Sequence, residues 1–263
     1  MIMLSSYYDR SEYPNTPHIL SVAGYLSHVE IWKDFDREWK AFLHRPDFNL
    51  AYFHMKEFTV SQGEFANGWK GEHRKRREFL AGLIDIIKRN TTVSFATAVR
   101  VDEFNAAVAS LPLHPACPIG SPFAYCGWLC VEGAKNFALK NGYGQPPIQS
   151  YFEDGEEDEG KLRELLAWSK HPVPQFKPKV PKSPEQETDC LSPLQAADFA
   201  AWEATKFTRT VDEIPDIEWE DLRESFKQLQ GYPPAYWNLI EGDAIKTHLR
   251  QYVDAGYLRM SQP

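Results

Sequence analysis

Two apolar stretches near the start of the chain decide the fold: MIMLSSYYD at residues 1–9 and HILSVAGYL at residues 18–26. In each, apolar side chains occupy odd and even positions alike, which is typical of strands covered on both faces of a sheet. Residues 11–17, between them, contain two prolines and an asparagine. Because these residue types favour a tight connection, the two stretches are predicted to be antiparallel neighbours.

Helices and further strands alternate along the rest of the chain. Periodic apolar residues predict helices over about 28–45, 72–89, 123–140, 160–169 and 192–208, strands over about 91–100, 148–153 and 173–177, and a short extended piece at about 50–54. This pattern predicts an α/β fold, a mixed sheet flanked by helices. From residue 212 onward, two amphipathic stretches predict a helical extension. We therefore expect a main domain over 1–209 and a helical extension over 210–263 packed on it.

Composition limits the classes of partner. The chain has 263 residues, with 29 Lys and Arg against 37 Asp and Glu, so its formal charge is −8. That charge argues against a broad basic face for duplex DNA. Four cysteines without Cys-x-x-Cys spacing, and an N-terminus without a signal-like pattern, indicate a reducing compartment, most simply the cytoplasm.

One long stretch, residues 104–131, contains no Asp, Glu, Lys or Arg. It is long enough to cross a bilayer, but its four prolines would break a spanning helix, so no membrane partner is expected. The predicted structure is a buried or lid-like loop leading into a helix. The chain contains no Gly-rich phosphate loop or dinucleotide fingerprint, so no nucleotide cofactor is expected.

Three acids stand out by position. Asp9 ends the first predicted strand and Glu153 ends a later one, at the rim where α/β sheets hold ligands. Asp198 shares the inward face of the 192–208 helix with Leu194 and Ala201, where an unpaired carboxylate would be costly. Three converging carboxylates would form an oxygen-only site suited to Mg²⁺ or Mn²⁺, with two ions expected. The alternative is that the strand-end acids are solvated and Asp198 is a hydrogen-bonded structural acid.

Five segments, in order, resemble a known family: Tyr7-Tyr-Asp9-Arg-Ser11, Val22-Ala-Gly-Tyr25 followed by Trp32, Phe35 and Trp39, Phe53-His-Met55, Phe152-Glu-Asp-Gly155 and Leu194-Gln-Ala-Ala-Asp198. The family is catalogued as domain of unknown function 3800. Its members resemble ribonuclease H-like proteins and are regarded as candidate metal-dependent nucleases without an established substrate. The similarity covers roughly residues 5–207.

The resemblance implies a ribonuclease H-like fold in which Asp9, Glu153 and Asp198 are catalytic metal ligands. It also exposes a departure, because relatives often have an acid directly after the first aspartate and this chain has Arg10. If that acid contributes to catalysis in relatives, the activity of this chain is in doubt. Glu12 is close enough in sequence to substitute, and ion pairing of Arg10 is the alternative interpretation.

Several other side chains are secondary candidates. His54 lies in the Phe-His-Met segment and could shuttle a proton or contact a phosphate, although a structural histidine is the alternative; Glu57 follows it closely. Asp154 begins an acidic loop that is expected to be mostly solvated.

The basic segment of residues 170–182 could hold a phosphate backbone beside the acidic centre. Lys177, Lys179 and Lys182 are the candidate contacts, and a proline-rich surface loop is the alternative. The first functional hypothesis is thus a Mg²⁺- or Mn²⁺-dependent nuclease-like phosphodiester hydrolase with nucleic acid as its partner. The alternatives are an inactive binding module on the same fold, and a hydrolase of a small phosphorylated compound with residues 104–131 as its lid. The sequence does not indicate an oligomeric state.

Overall fold

A computed structural model of the chain describes residues 3–112, 117–144, 147–181, 191–231 and 233–254. Its strands form one mixed sheet in the order β5-β4-β1-β2-β3-β6. The strands are β1 (Leu4–Tyr13), β2 (Ile19–His28), β3 (Val93–Arg100), β4 (Gln149–Glu153), β5 (Gln175–Lys177) and β6 (Ala235–Ile240). The first two strands pair antiparallel, as predicted, and β3 is antiparallel to β2. The outer pairs β1–β4, β4–β5 and β3–β6 are parallel.

Helices cover both faces of this sheet. They are α1 (Val29–Leu43), α2 (Met55–Val60), α3 (His73–Asn90), α4 (Val101–Ala109), α5 (Pro122–Lys140), α6 (Glu159–Trp168), α7 (Ser192–Glu213), α8 (Glu224–Gly231) and α9 (Gly242–Asp254). One apolar core lies between the sheet and helices α4, α5, α6 and α9, and we name this side the α5 face. The other lies between the sheet and α1, α3, α7 and α8, which we name the α7 face. The α/β class is therefore confirmed.

Helix α7 packs directly on the sheet through an inward side built from small residues. Ala196, Ala197, Ala200 and Ala201 are all buried. The Ser21 hydroxyl of β2 donates to the carbonyl of Ala201 at 2.9 Å, so a strand side chain reaches the helix backbone directly. Ser21 also bonds the Thr205 hydroxyl at 2.7 Å. These contacts fix α7, and with it Asp198, against the middle of the sheet.

Two predictions about the chain's organisation are corrected. The C-terminal extension is not purely helical, because Ala235–Ile240 forms β6 and pairs with β3. The uncharged stretch at 104–131 does not begin as a loop, since α4 runs to Ala109, whereas α5 begins at Pro122, close to the predicted helix. The short piece at 50–54 joins no strand. Among the described helices, none is both long enough and apolar enough to cross a membrane.

Candidate functional site

Two neighbouring parallel strands deliver the first pair of acids. Tyr8 of β1 lies opposite Phe152 of β4, and the next residue on each strand is an acid, Asp9 or Glu153. Because Tyr8 and Phe152 belong to the core on the α5 face, strand alternation turns both acids toward the α7 face. The Asp9 side chain is completely buried, whereas that of Glu153 is 20% exposed.

Helix α7 supplies the third acid. Asp198 is buried on the side of α7 that faces the sheet, as the helical periodicity predicts. Its Oδ2 accepts a hydrogen bond from the backbone N–H of Met55 at 2.6 Å, and its Oδ1 accepts one from Lys179 Nζ at 3.2 Å. Each carboxylate oxygen therefore has a donor, which offsets the cost of burying the charge.

Lys179 lies at the centre of the three acids. Its ammonium nitrogen is 2.7 Å from Asp9 Oδ2, 2.8 Å from Glu153 Oε2 and 3.2 Å from Asp198 Oδ1. Only 6% of its side chain is exposed. The expectation of a surface lysine is thus wrong for Lys179, because acids on three separate elements enclose its ammonium. A contact of this lysine with phosphate stays a prediction. We name Asp9, Glu153, Asp198 and Lys179 the carboxylate cluster.

Burial and mutual repulsion set the protonation of the carboxylate cluster. Desolvation raises the pKa of Asp9, and the nearby Asp198 raises it further, against the attraction of Lys179. Desolvation and the charge of Asp9 raise the pKa of Glu153 to about 8. Burial acts to lower the pKa of Lys179, but the three acids outweigh it and hold that pKa well above its ordinary value. The lysine therefore stays charged near neutral pH while Glu153 retains a proton.

The donor set of the carboxylate cluster fits a hard divalent cation in chemical type. Three carboxylates from separate elements are ligands that Mg²⁺ and Mn²⁺ prefer. Within the described part of the chain, no group of three or more His, Cys, Asp or Glu side chains is spaced to hold a metal ion. The cation position is held by Lys179 Nζ, so a metal would have to displace this ammonium. The role of these acids as metal ligands stays a prediction.

Arg10 is ion-paired, which favours the structural interpretation of this residue. Its guanidinium contacts the Glu12 carboxylate and lies 2.5 Å from that of Glu156. His18 also lies 2.5 Å from Glu12. Because side chains alternate along β1, Glu12 projects from the opposite side of the strand to Asp9. Position 10 lies on the same side of β1 as Glu12, whose carboxylate is paired with Arg10 and His18, so its role as a substitute acid stays a prediction.

His54 and Glu57 form a second polar group beside the carboxylate cluster. His54 directly precedes α2, whose first backbone N–H, that of Met55, binds Asp198. The His54 Nδ1 atom is buried, makes no hydrogen bond within the described residues and lies 3.5 Å from Glu57 Oε1. The Tyr52 hydroxyl donates to Glu57 at 3.1 Å, and burial raises the pKa of Tyr52 to about 12. The structure therefore places His54 next to the carboxylate cluster through the backbone, and its catalytic role stays a prediction.

The remaining candidates lie near the sheet edge. Lys177 ends the edge strand β5, in register with Glu153. The backbone N–H of Asp154 donates to the Lys177 carbonyl at 3.1 Å. Lys182 lies outside the described residues. The roles predicted for Lys177 and Asp154 stay predictions.

Gln195 is a site residue that the sequence reasoning assigned only to the start of a helix. Its Oε1 accepts hydrogen bonds from Trp39 Nε1 at 2.8 Å and from the Phe53 backbone N–H at 2.9 Å. Its Nε2 donates to the Lys179 carbonyl at 2.9 Å. One buried amide thus joins α1, the segment before α2 and the lysine segment. Its place on α7, three residues before Asp198 and on the same face, is the signal that could have revealed it.

Comparison of the chain with protein-family models, with curated proteins and with solved structures finds no match.

Proposed function

We propose that this protein is a metal-dependent phosphodiester hydrolase of the nuclease type that acts on nucleic acid. The observation that carries the proposal is the convergence of Asp9, Glu153 and Asp198 on one cation position. These acids come from two adjacent strands and a helix held close to the sheet. They are also the residues that the resemblance to the ribonuclease H-like family implies.

The three acids would hold Mg²⁺ or Mn²⁺, which when bound supplies an activated water and stabilises the charge of the leaving oxygen. Asp198 is already oriented for this task by the Met55 backbone N–H. Gln195 anchors Lys179 through its carbonyl and leaves the ammonium on a flexible stem. That ammonium can leave the acids without moving its backbone and then pair with a substrate phosphate.

A non-catalytic binding module is the second candidate, and a specific observation favours it. Lys179 already neutralises part of the buried charge, and Arg10 stands where relatives often have an acid. On this interpretation Lys179 is a permanent internal cation that replaces the metal. The two candidates differ in whether a divalent ion displaces the lysine.

The test measures Mn²⁺ binding by calorimetry together with cleavage of labelled single-stranded DNA, single-stranded RNA and an RNA–DNA hybrid. We expect the wild type to bind Mn²⁺ and to cleave at least one substrate. Asp9→Asn and Asp198→Asn should each abolish cleavage and leave the circular dichroism spectrum unchanged. Asp34→Asn, at an exposed acid of α1, is the matched control and should retain wild-type activity.

Lys179→Met separates the two candidates. Removal of the internal cation should tighten Mn²⁺ binding if the ion and the lysine compete for the same acids. Absence of both Mn²⁺ binding and cleavage in the wild type and in Lys179→Met would exclude the metal-dependent hydrolase and leave the binding module as the candidate. Full activity in Asp9→Asn would also overturn the catalytic assignment.

A further inference from the structure

We propose that a row of basic and aromatic side chains along α7 and the end of β1 binds a single-stranded segment of nucleic acid and leads it to the carboxylate cluster. We name this row the cation–aromatic strip; it consists of Tyr13, Trp202, Lys206, Arg209 and Arg223. The inference deepens the proposed function and depends on it only for the fate of the bound strand. The binding itself can be tested with catalysis switched off.

Cations and aromatic rings alternate along the cation–aromatic strip. Around Trp202, the Arg223 guanidinium carbon lies 4.6 Å and Lys206 Nζ lies 5.3 Å from the ring centroid. Around Tyr13, the Arg209 guanidinium carbon lies 4.5 Å from the ring centroid and Lys206 Nζ lies 6.0 Å from it. Lys206 therefore joins the two rings. Trp202 packs against the core of the α7 face, and it and Tyr13 are each only partly buried, so part of each side chain is exposed.

The cation–aromatic strip continues directly from the carboxylate cluster. Tyr13 follows Asp9 by four residues on β1, which places it on the same side of the strand about 13 Å further along. On α7, Trp202, Lys206 and Arg209 lie within roughly 80° of Asp198 around the helix axis. Strand β1 and helix α7 thus carry residues of both the carboxylate cluster and the cation–aromatic strip. A distance of about 13 Å corresponds to about four stacked nucleotides at roughly 3.4 Å each.

Local charge favours an anionic occupant. Glu203, whose side chain is completely buried, binds Arg223 at 3.3 Å, and Glu213 binds Arg209 at 2.6 Å. Lys206 makes no ion pair with a described residue. Burial lowers the pKa of Lys206, and the neighbouring charges of Arg209 and Arg223 lower it further. The three cations of the strip face two paired acids, Glu203 and Glu213, which leaves a surplus of one positive charge. On a chain with a net charge of −8, this surplus is a local attraction for phosphate.

The aromatic rings select a single strand over a duplex and over an acidic peptide. Bases can stack on Trp202 and Tyr13 only where they are not enclosed in a double helix. A guanidinium plane beside each ring adds a second stacking surface. An acidic peptide would pair with the three cations but would offer no base to stack on the exposed part of the rings.

The test measures fluorescence anisotropy of a labelled single-stranded 12-mer with the full chain in EDTA, where metal-dependent cleavage cannot proceed. Trp202→Ala should weaken binding by about 5- to 150-fold, which corresponds to the loss of one stacked base. Lys206→Gln and Arg209→Gln change accessible side chains, so they retain the fold. Each should weaken binding and reduce the slope of log binding constant against log salt concentration by about 0.7. Trp168→Ala, at a partly exposed tryptophan on α6, and Lys33→Gln on α1 are matched controls that should bind like the wild type.

Unchanged affinity in Lys206→Gln and Arg209→Gln, or failure of the wild type to bind the 12-mer, would overturn the inference. Binding that depends on Lys206 but not on Trp202, and that polyglutamate competes away, would identify an acidic protein surface as the occupant and overturn it equally. Asp9→Asn separates this inference from the proposed function, because it should bind the 12-mer normally. If binding depends on the cation–aromatic strip but no cleavage occurs, only the proposed function is contradicted. If cleavage occurs and no variant of the cation–aromatic strip affects it, only the inference about the strip is contradicted.

Discussion

Two clusters in this protein each place one cation among three carboxylates, and they differ mainly in burial. Lys179 is enclosed by Asp9, Glu153 and Asp198 in the carboxylate cluster. In the other, Arg100 at the end of β3 contacts Asp212 through two nitrogens, Glu103 at 3.3 Å and Glu241 at 3.6 Å. The side chains of Glu103 and Glu241 are 41% and 69% exposed, so water solvates these acids.

The difference shows what burial adds to the same set of charges. Glu103 and Glu241 gain little from Arg100, because water already stabilises them. Asp212, whose side chain is only 10% exposed, depends on this cation more. Arg100 therefore acts as a tie between β3, the end of α7 and the segment after β6. Buried acids around Lys179 depend on their cation, and this dependence makes the position suitable for a stronger cation.

The two clusters should differ most in the loss of unfolding free energy when the central cation of each is removed. Lys179→Met leaves buried carboxylates without a counter-charge and should lower the free energy of unfolding by about 3–5 kcal/mol in EDTA. Arg100→Met should lower it less, by about 1–3 kcal/mol, since only Asp212 among its acids is largely buried. Urea denaturation followed by tryptophan fluorescence measures both. Equal losses would show that burial does not distinguish the clusters.

Divalent metal should stabilise only the buried cluster. Mn²⁺ at about 100 times its dissociation constant should add about 2.7 kcal/mol to the free energy of unfolding. The melting temperature should then rise by about 2–4 °C per kcal/mol. Asp198→Asn should lose this response, whereas Glu103→Gln in the exposed cluster should retain it. An Asp198→Asn variant that is less stable in EDTA yet responds fully to Mn²⁺ would contradict the metal site.

Stability should fall with rising pH because of Glu153. Its pKa is about 8 in the folded protein and 4.5 ordinarily, so unfolding releases its proton between these values. Proton release on unfolding lowers the free energy of unfolding as pH rises from about 4.5 to 8, by at most about 1.4 kcal/mol per pH unit. Glu153→Gln should flatten this slope in EDTA. A slope identical to that of the wild type would show that Glu153 is not the group that titrates.

The smallest effect on stability is expected at Lys177, which ends an edge strand. Lys177→Gln should change the free energy of unfolding by no more than about 0.5 kcal/mol. If this side chain contacts a phosphate of single-stranded nucleic acid, Lys177→Gln should reduce the slope of log binding constant against log salt concentration by about 0.7. An unchanged slope in a salt titration would assign Lys177 to the ordinary surface and leave the buried Lys179 as the functional lysine of this segment.

Local sequence patterns were sufficient for the parts of the fold that local forces determine. The long helices α1, α3, α5 and α7 carry apolar residues at helical spacing. The first three lie within about two residues of their predicted ranges, whereas α7 continues to Glu213, beyond its predicted end at residue 208. Glu153 ends β4 and Asp198 lies on the inward side of α7, as predicted, but Asp9 lies inside β1, which continues to Tyr13. The structure nevertheless brings the three acids together. To predict that these acids converge, it was enough to recognise the sheet and helix α7 from the sequence.

Features that depend on distant partners were not predictable in the same way. The residues of β6 also fit an amphipathic helix, and pairing with β3, more than a hundred residues away, decides the outcome. Lys179 lies in a lysine- and proline-rich segment that reads as surface, and only the path of the chain from β5 to α7 carries it over Asp9. Short α2 and α4 lack enough turns for a clear periodicity.

The parallel pairing of β3 with β6 has a consequence for the chain as it is synthesised. β3 is complete at Arg100, but its partner on this side is complete only at Ile240. While residues 101–240 are being synthesised, one edge of the apolar strand β3 has no partner strand. Such an unpaired edge can pair with the wrong strand of another nascent chain. Closure of this edge is a late, non-local event, so aggregation of ribosome-released fragments that stop before residue 235 is the expected cost of this topology.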